Sequence, residues 1–402
     1  MEERREVIGA SVKRVDAFDK VTGYAKYTDD LCDKGAYIAK ILHSTVANGR
    51  VTSIDADEAR KIPGVIKVVT CFDVPKNYFP TAGHPWSTQE SHQDVADRLM
   101  LTDRVRFYGD DVAAVIAEDE VAASQALRAI QVQYEEYPFV LDVQEAMEEG
   151  APRLHEEYPG NVLKHTSIRN GNYEEAIKET GLIKVEGWYD TPSVQHCHIE
   201  NFICYAYQAN HKMNVVSSTQ IPHIVRRVVG QALGVPWGKV RVIKPYIGGG
   251  FGNKQDVLYE PLNAFLTTQV GVRGVRMEIS REEPLACYPK PYYILCQAGR
   301  DIRGQETGGV LQSGSLRVPW SQRSGKGNGR VPAAVSLPEC GGRFLYGIYQ
   351  PPGGRRHERI WDSPGYVCRG KPHGRRGKGD WHVPAGIQEK EPDAERIRGW
   401  IL

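Results

Sequence analysis

The chain lacks a CxxC pair: its eight cysteines, at positions 32, 71, 197, 204, 287, 296, 340 and 368, follow no iron–sulfur spacing. Cluster ligation by these thiols is therefore excluded. Charge of either sign is not in excess, with 51 Lys and Arg against 50 Asp and Glu, and a net charge of +1 gives no electrostatic reason to expect nucleic acid or a membrane as partner. No stretch approaches transmembrane length, and the opening MEERREVIGA lacks the apolar run of a secretory signal. The expected compartment is cytoplasmic, with the thiols reduced. Nucleotide fingerprints are missing too. A phosphate loop needs Gly, four residues, then Gly-Lys-Ser/Thr, but the fifth residue after Gly248 is Asn253 and Lys254 is followed by Gln255. The dinucleotide pattern fails as well, because Asn253 stands three after Gly250.

What is present is a chain of 402 residues with 41% hydrophobic content, enough to bury a sizeable core in two or more domains. Its most informative stretch runs from Val215 to Lys254. Val215 to Thr219 is a short β-branched run, and Gln220 to Leu233 carries apolar residues at helical spacing through Ile224, Val228 and Leu233. Gly234, with Pro236 two residues on, closes that helix. Val240 to Ile243 reads as the next strand and leads into Gly248, Gly249, Gly250, Phe251 and Gly252. Four glycines there let the backbone turn tightly and bring N–H groups close to an anion. A cluster of this kind is by itself more often an ordinary turn. Gln220, at the other strand end, offers an amide donor to an oxo or carbonyl oxygen.

STQIPHIVRRVVGQALGVP followed by RVIKPYIGGGFGNK resembles the cofactor-binding domain of the molybdenum hydroxylases, the large subunits of the xanthine dehydrogenase and aldehyde oxidase family. Upstream, RVDAFDKVTGYAKYTDD (14–30), GVIKVVTCFDVP (64–75) and VRFYGDDVAAVIAEDEVAASQA (105–126) resemble the small α/β hammerhead domain that precedes it. NGNYEEAIKETGLIKVEGWYDTPSVQHCHIEN (170–201) resembles the entry to the molybdopterin domain, and the match covers roughly residues 8 to 287.

The resemblance implies an α+β fold: an α/β hammerhead domain over 1–150, the truncated first part of a molybdopterin-binding domain over 151–287, and a largely irregular tail over 288–402. It further implies that Gln220 hydrogen-bonds an oxygen ligand of molybdenum. The loop Gly248, Gly249, Gly250, Phe251, Gly252 then lies against metal and pterin, with the backbone of Phe251 beside the metal. Gln255 occupies a substrate-facing position where purine oxidisers often carry Glu; Gln keeps the hydrogen bonds but accepts no proton at neutral pH. The metal is held by the pterin dithiolene, so no direct metal ligand is expected from the chain. Electrons leaving it need a partner subunit carrying Fe–S clusters and another carrying FAD. The distal Glu that serves the family as general base lies outside the matched region, so no catalytic residue is assigned.

Other features have blander readings. QHCHIE (195–200) gathers two His, a Cys and a Glu within six residues, yet it resembles a family strand more than a separate metal site. Arg226 and Arg227 either reach an anionic pterin phosphate or form a solvated helix face. Glu118 to Ala129 reads as a surface helix of the first domain.

Beyond about Tyr288 periodic apolar segments disappear, about half of the 41 glycines gather among many arginines, and four of the seven Trp are scattered. One explanation is a frame shift near residues 288 to 312. Read one nucleotide downstream, codons for PGGRRHERIWDSP (352–364) can be chosen to give PVAGAMRGYGIPQ, a signature of this family near its metal. SGSLRVPWSQRSG (313–325) and KPHGRRGKGDWH (371–382) permit AGAYASHGHSVAG and SHMDDAAKAIGM in the same frame.

The expected function is hydroxylation of a purine or other N-heterocycle with water-derived oxygen, by a chain incomplete and inactive alone. An aldehyde oxidase-type subunit is the nearest alternative. An RNA-binding protein using the Gly/Arg-rich tail is the alternative of another class, but GRRHER, GRRGKG and GGRFLYG share no period.

Overall fold

A computed structural model describes residues 11–81, 95–143, 145–170, 185–189, 196–286, 294–300, 305–312 and 340–347. Fifteen strands are described: β1 (Tyr37–His43), β2 (Gly49–Asp55), β3 (Val65–Thr70), β4 (Arg104–Val105), β5 (Asp111–Ala117), β6 (Gln131–Glu136), β7 (Val162–Asn170), β8 (Val185–Tyr189), β9 (Phe202–Ala209), β10 (Lys212–Ser217), β11 (Val240–Ile243), β12 (Val275–Ile279), β13 (Ile294–Arg300), β14 (Gln305–Gln312) and β15 (Cys340–Gly347). The helices that matter for packing are α1 (Ala17–Thr22), α2 (Asp57–Lys61), α3 (Glu120–Ala129), α4 (Pro222–Leu233) and α5 (Glu260–Thr268).

The main sheet has seven strands in the order β11-β10-β9-β12-β1-β5-β3, and it mixes parallel with antiparallel pairs. Strand β5, DVAAVIA, is buried along its whole length, which is why its sequence is an unbroken apolar run after Asp111. By contrast β12, VRMEI, alternates buried and half-buried positions, the mark of a strand with one covered face. Strand β1 joins the two, pairing antiparallel with β5 and parallel with β12, Tyr37 opposite Val275. The sheet therefore runs without a break across the expected domain boundary at residue 150. One apolar cluster spans it as well, containing Ile41, Val112, Phe202, Val215, Val228, Leu262 and Met277. Each such apolar side chain contributes about 2 kcal/mol on leaving water.

A second cluster lies under α3, where Ala122, Ala123 and Ala126 face Val68, Val115 and Ala117. Asp119 caps this helix, its side chain accepting the Ala122 N–H. The segment expected as a surface helix thus buries an alanine stripe, small enough for close approach to the sheet. A three-stranded sheet, β4-β2-β6, completes this half.

Helix α4 begins at Pro222, two residues later than its periodicity suggests. The reason is local: the Gln220 N–H donates to the Lys254 carbonyl at 2.8 Å, and the Thr219 hydroxyl accepts the Ile221 N–H at 3.0 Å. Both bonds draw the chain out of helical geometry before the proline. The far end behaves as read, with Gly234 in the left-handed region at φ 68°. Strand β10 ends at Ser217 rather than Thr219, and β11 spans the residues expected of it.

Of the segment expected as an out-of-frame, irregular tail, the structure describes β13, β14 and β15, which join β7 and β8 in a five-stranded sheet. The rest of 288–402 lies outside the described residues, as do the sequences read in a second frame at 313–325, 352–364 and 371–382.

Candidate functional site

Strands β10 and β11 are parallel neighbours, Val216 opposite Ile243, so the segments leaving their C-terminal ends emerge side by side. One carries Gln220 and the other carries Gly248 to Gly252. Gln220 Oε1 accepts the Gly252 N–H at 3.1 Å. That bond fixes the amide orientation, because an N–H donor requires the oxygen and leaves Nε2 as the end offered to a ligand. The loop is bent by left-handed residues at Gly249 (φ 99°), Phe251 (φ 51°) and Gly252 (φ 89°). For Phe251 that conformation costs about 1 kcal/mol or more, and its large side chain is also 52% exposed. The backbone N–H groups of Gly249, Gly250 and Phe251 donate to nothing among the described residues. Three backbone amides without an acceptor among the described residues and one side-chain amide thus lie on or beside one loop, donors of the kind an oxygen-rich anion takes.

The glycines have a more specific cause than tight turning. A Cβ on Gly248 would lie 2.5 Å from Glu200 Cβ, one on Gly249 2.9 Å from His198 Cβ, and one on Gly250 2.6 Å from Gln220 Oε1. Each of the three makes room for one protein side chain. The loop is therefore moulded against Glu200, His198 and Gln220.

Beneath it lies a buried polar knot that the sequence reading did not single out. Lys254 is 1% exposed, and its ammonium donates to Glu200 Oε2 at 2.8 Å and to the Glu200 carbonyl at 3.1 Å. Burial pulls the lysine below its ordinary value, and Glu200 opposes that pull. His198 Nδ1 stands 2.5 Å from the Glu200 carbonyl, which requires Nδ1 to carry the proton. Burial first, then the charge of Lys254, holds this imidazole down at about 4, so it is neutral. Its ring packs edge-on against Phe202, centroids 5.0 Å apart. Arg281 ties the same segment to the end of β12, donating to the carbonyls of His198 and Ile199 at 2.6 and 3.1 Å. The signal for this knot was a lysine amid a glycine loop and the His-x-Glu of QHCHIE.

Gln255 is half-buried on the short turn Asn253–Gln255 that follows the loop. Arg226 and Arg227 are occupied elsewhere: the first donates to the Trp237 carbonyl at 3.1 Å, and the second sits over the Trp237 ring at 5.5 Å. They hold the turn after α4. In 196–200 the residues alternate, His196 and His198 buried, Cys197 and Ile199 exposed. Among the described residues no group of three or more His, Cys, Asp or Glu is placed to hold a metal ion.

Residues 22–138 match the aldehyde oxidase and xanthine dehydrogenase a/b hammerhead domain, and 154–301 match the molybdopterin cofactor-binding domain. Over 271 residues the chain is 47% identical to the xanthine dehydrogenase molybdenum-binding subunit of Escherichia coli O157:H7, covering 67% of this chain and 36% of that protein. Over 305 residues it is 33% identical to the nicotinate dehydrogenase large molybdopterin subunit of Eubacterium barkeri, covering 75% and 68%. In fold it is similar to the aldehyde oxidoreductase of Desulfovibrio desulfuricans, with a TM-score of 0.80 at 22% identity over 89% of this chain and 40% of the other. The chain thus spans only about a third of the length of its Escherichia coli relative.

Proposed function

Because the chain belongs to the aldehyde oxidase and xanthine dehydrogenase family, its hammerhead domain followed by molybdopterin-binding sequence, we propose that it is the molybdenum-cofactor-binding portion of a subunit that hydroxylates a purine or other N-heterocycle. The observation that carries this is the pairing of Gln220 Oε1 with the Gly252 N–H beside three free loop amides. When bound, the molybdenum–pterin group supplies the two-electron oxidation, with water as the oxygen source. Gln220 Nε2 and the amides of Gly249, Gly250 and Phe251 would hold its oxygen-rich face. Gln255 would orient substrate by hydrogen bonding without taking a proton.

A nitrogen heterocycle is favoured because the two relatives are named for xanthine and nicotinate. Both are also named as subunits, and this chain has no cluster-forming cysteine spacing, which supports separate Fe–S and FAD partners. Among the described residues Cys32, Cys71, Cys197 and Cys204 are free thiols and no helix is long and apolar enough to cross a membrane. A reducing compartment, the cytoplasm, accords with those thiols.

The direct test is retention of the isolated molybdenum–pterin group by the full chain through gel filtration, read by metal analysis and pterin fluorescence. Retention by the wild type and loss in Gly250→Val is expected. Equal retention by both, or none by the wild type, overturns the site. We also propose that the reading frame shifts near 288–312, so that the chain made alone shows no turnover of xanthine. Independent sequencing of that DNA should show one inserted or missing nucleotide; an unbroken frame rejects the shift. Genes for flavin and two-iron cluster subunits beside this one are expected on the same grounds.

A further inference from the structure

We infer that Glu200 is a positioning residue for the loop, a group that holds both of its ends and so sets the spacing of the amides between them that have no acceptor among the described residues. The inference rests on the cofactor reading above but is carried by separate contacts. At the entering end, Glu200 Oε2 accepts the Gly248 N–H at 2.9 Å while the Glu200 N–H donates to the Gly248 carbonyl at 3.1 Å. At the leaving end, Lys254 donates to the same Oε2 at 2.8 Å, and the Lys254 carbonyl receives the Gln220 N–H at 2.8 Å. Gln220 Oε1 then returns to Gly252 at 3.1 Å, closing a circuit from Gly248 through Glu200, Lys254 and Gln220 back to the loop. Glu200 Oε1 faces the other half of the chain, where the Thr28 N–H stands 3.5 Å away.

Within that circuit, the Asn253 N–H reaches the Gly250 carbonyl at 2.7 Å. The amides of Gly249, Gly250 and Phe251 stay unused because their neighbours on both sides are tied. A carboxylate is the group suited to this task. It accepts from a backbone amide and an ammonium on one oxygen and still has a second oxygen for the Thr28 side. The lysine supplies the matching charge, so the pair can be buried.

A buried ion pair that merely stabilises the fold would make the same contacts, and two double variants of the full chain separate the alternatives. Glu200→Gln with Lys254→Met removes both charges but keeps an oxygen for the Gly248 N–H. Glu200→Ala with Lys254→Met removes both charges and that acceptor. Amide hydrogen exchange of the peptide 244–255 is read beside the urea midpoint. Positioning predicts near wild-type exchange at Gly248 in the first variant and exchange faster by about tenfold or more in the second, once normalised to global stability. Equal exchange in the two variants, whether both slow or both fast, would overturn it. Retention of the molybdenum–pterin group, measured on the same proteins, should follow the exchange. If the wild type retains none while the exchange difference holds, the cofactor reading falls and the positioning of the loop by Glu200 stands.

Discussion

Gly250 and Gln220 are in contact so close that a single added methyl group would collide: its carbon would stand 2.6 Å from Gln220 Oε1. That oxygen is the acceptor for Gly252, so the clash cannot be relieved without breaking the bond that aims the amide.

Gly250→Ala is therefore expected to displace Gln220 and to destabilise the fold by about 1–3 kcal/mol, as overpacking does. Urea denaturation measures the second effect. Retention of the molybdenum–pterin group should fall much more than stability alone explains.

Gln220 offers a cleaner separation. Glu at this position keeps the acceptor for Gly252 but has no N–H to donate, whereas Ala removes both. Gln220→Glu should leave the urea midpoint near wild type yet abolish cofactor retention. Gln220→Ala should lose retention and about 1 kcal/mol of stability as well. Equal stability of the two variants would show that the Gly252 bond contributes nothing.

His198 makes the site acid-sensitive. Its folded-state pKa of about 4 lies below the ordinary 6.5, so its contribution is fully present above 6.5 and is lost as pH falls through 4. Roughly 2 kcal/mol of stability should disappear over that window. His198→Asn should flatten this part of the stability–pH curve, followed by thermal melting at fixed ionic strength.

Asp110 has the opposite sign. Complete burial pushes its carboxyl up to about 6, with Arg98 opposing and Asp111 adding to the rise, against an ordinary value of 3.8. The folded state then holds a proton that the unfolded state releases, so stability from this group is full below 3.8 and lost as pH rises through 6. Asp110→Asn should be more stable than wild type at pH 7 by about 2–3 kcal/mol, and the difference should vanish below pH 4. The Arg106 N–H, which donates to Asp110 at 3.2 Å, keeps an acceptor in Asn.

Where local chemistry decides conformation, the sequence was readable. β-Branched Val240, Val242 and Ile243 form β11, and Gly234 ends α4, because neither outcome depends on distant residues. The adjacency of Gln220 to the glycine loop was legible as two devices following two strands, and through the family resemblance. It takes the parallel pairing of β10 with β11 to bring them together. The pairing of Glu200 with Lys254 was not legible because it is purely tertiary: 54 positions separate them, and no spacing rule links a lysine to an acceptor that far away. The late start of α4 was hidden for the same reason, since the group that draws Gln220 out of the helix is the carbonyl of Lys254.

The junction of β1 with β12 has a practical meaning for anyone dissecting this polypeptide. Residues 37–39 find their hydrogen-bonding neighbours at 275–277, so cutting anywhere between them leaves each fragment with a raw strand margin in the middle of what was an interior sheet. Such margins recruit other chains. A hammerhead fragment ending near residue 150 should come out of expression as multimers or precipitate, and adding the missing half in trans should dissolve them.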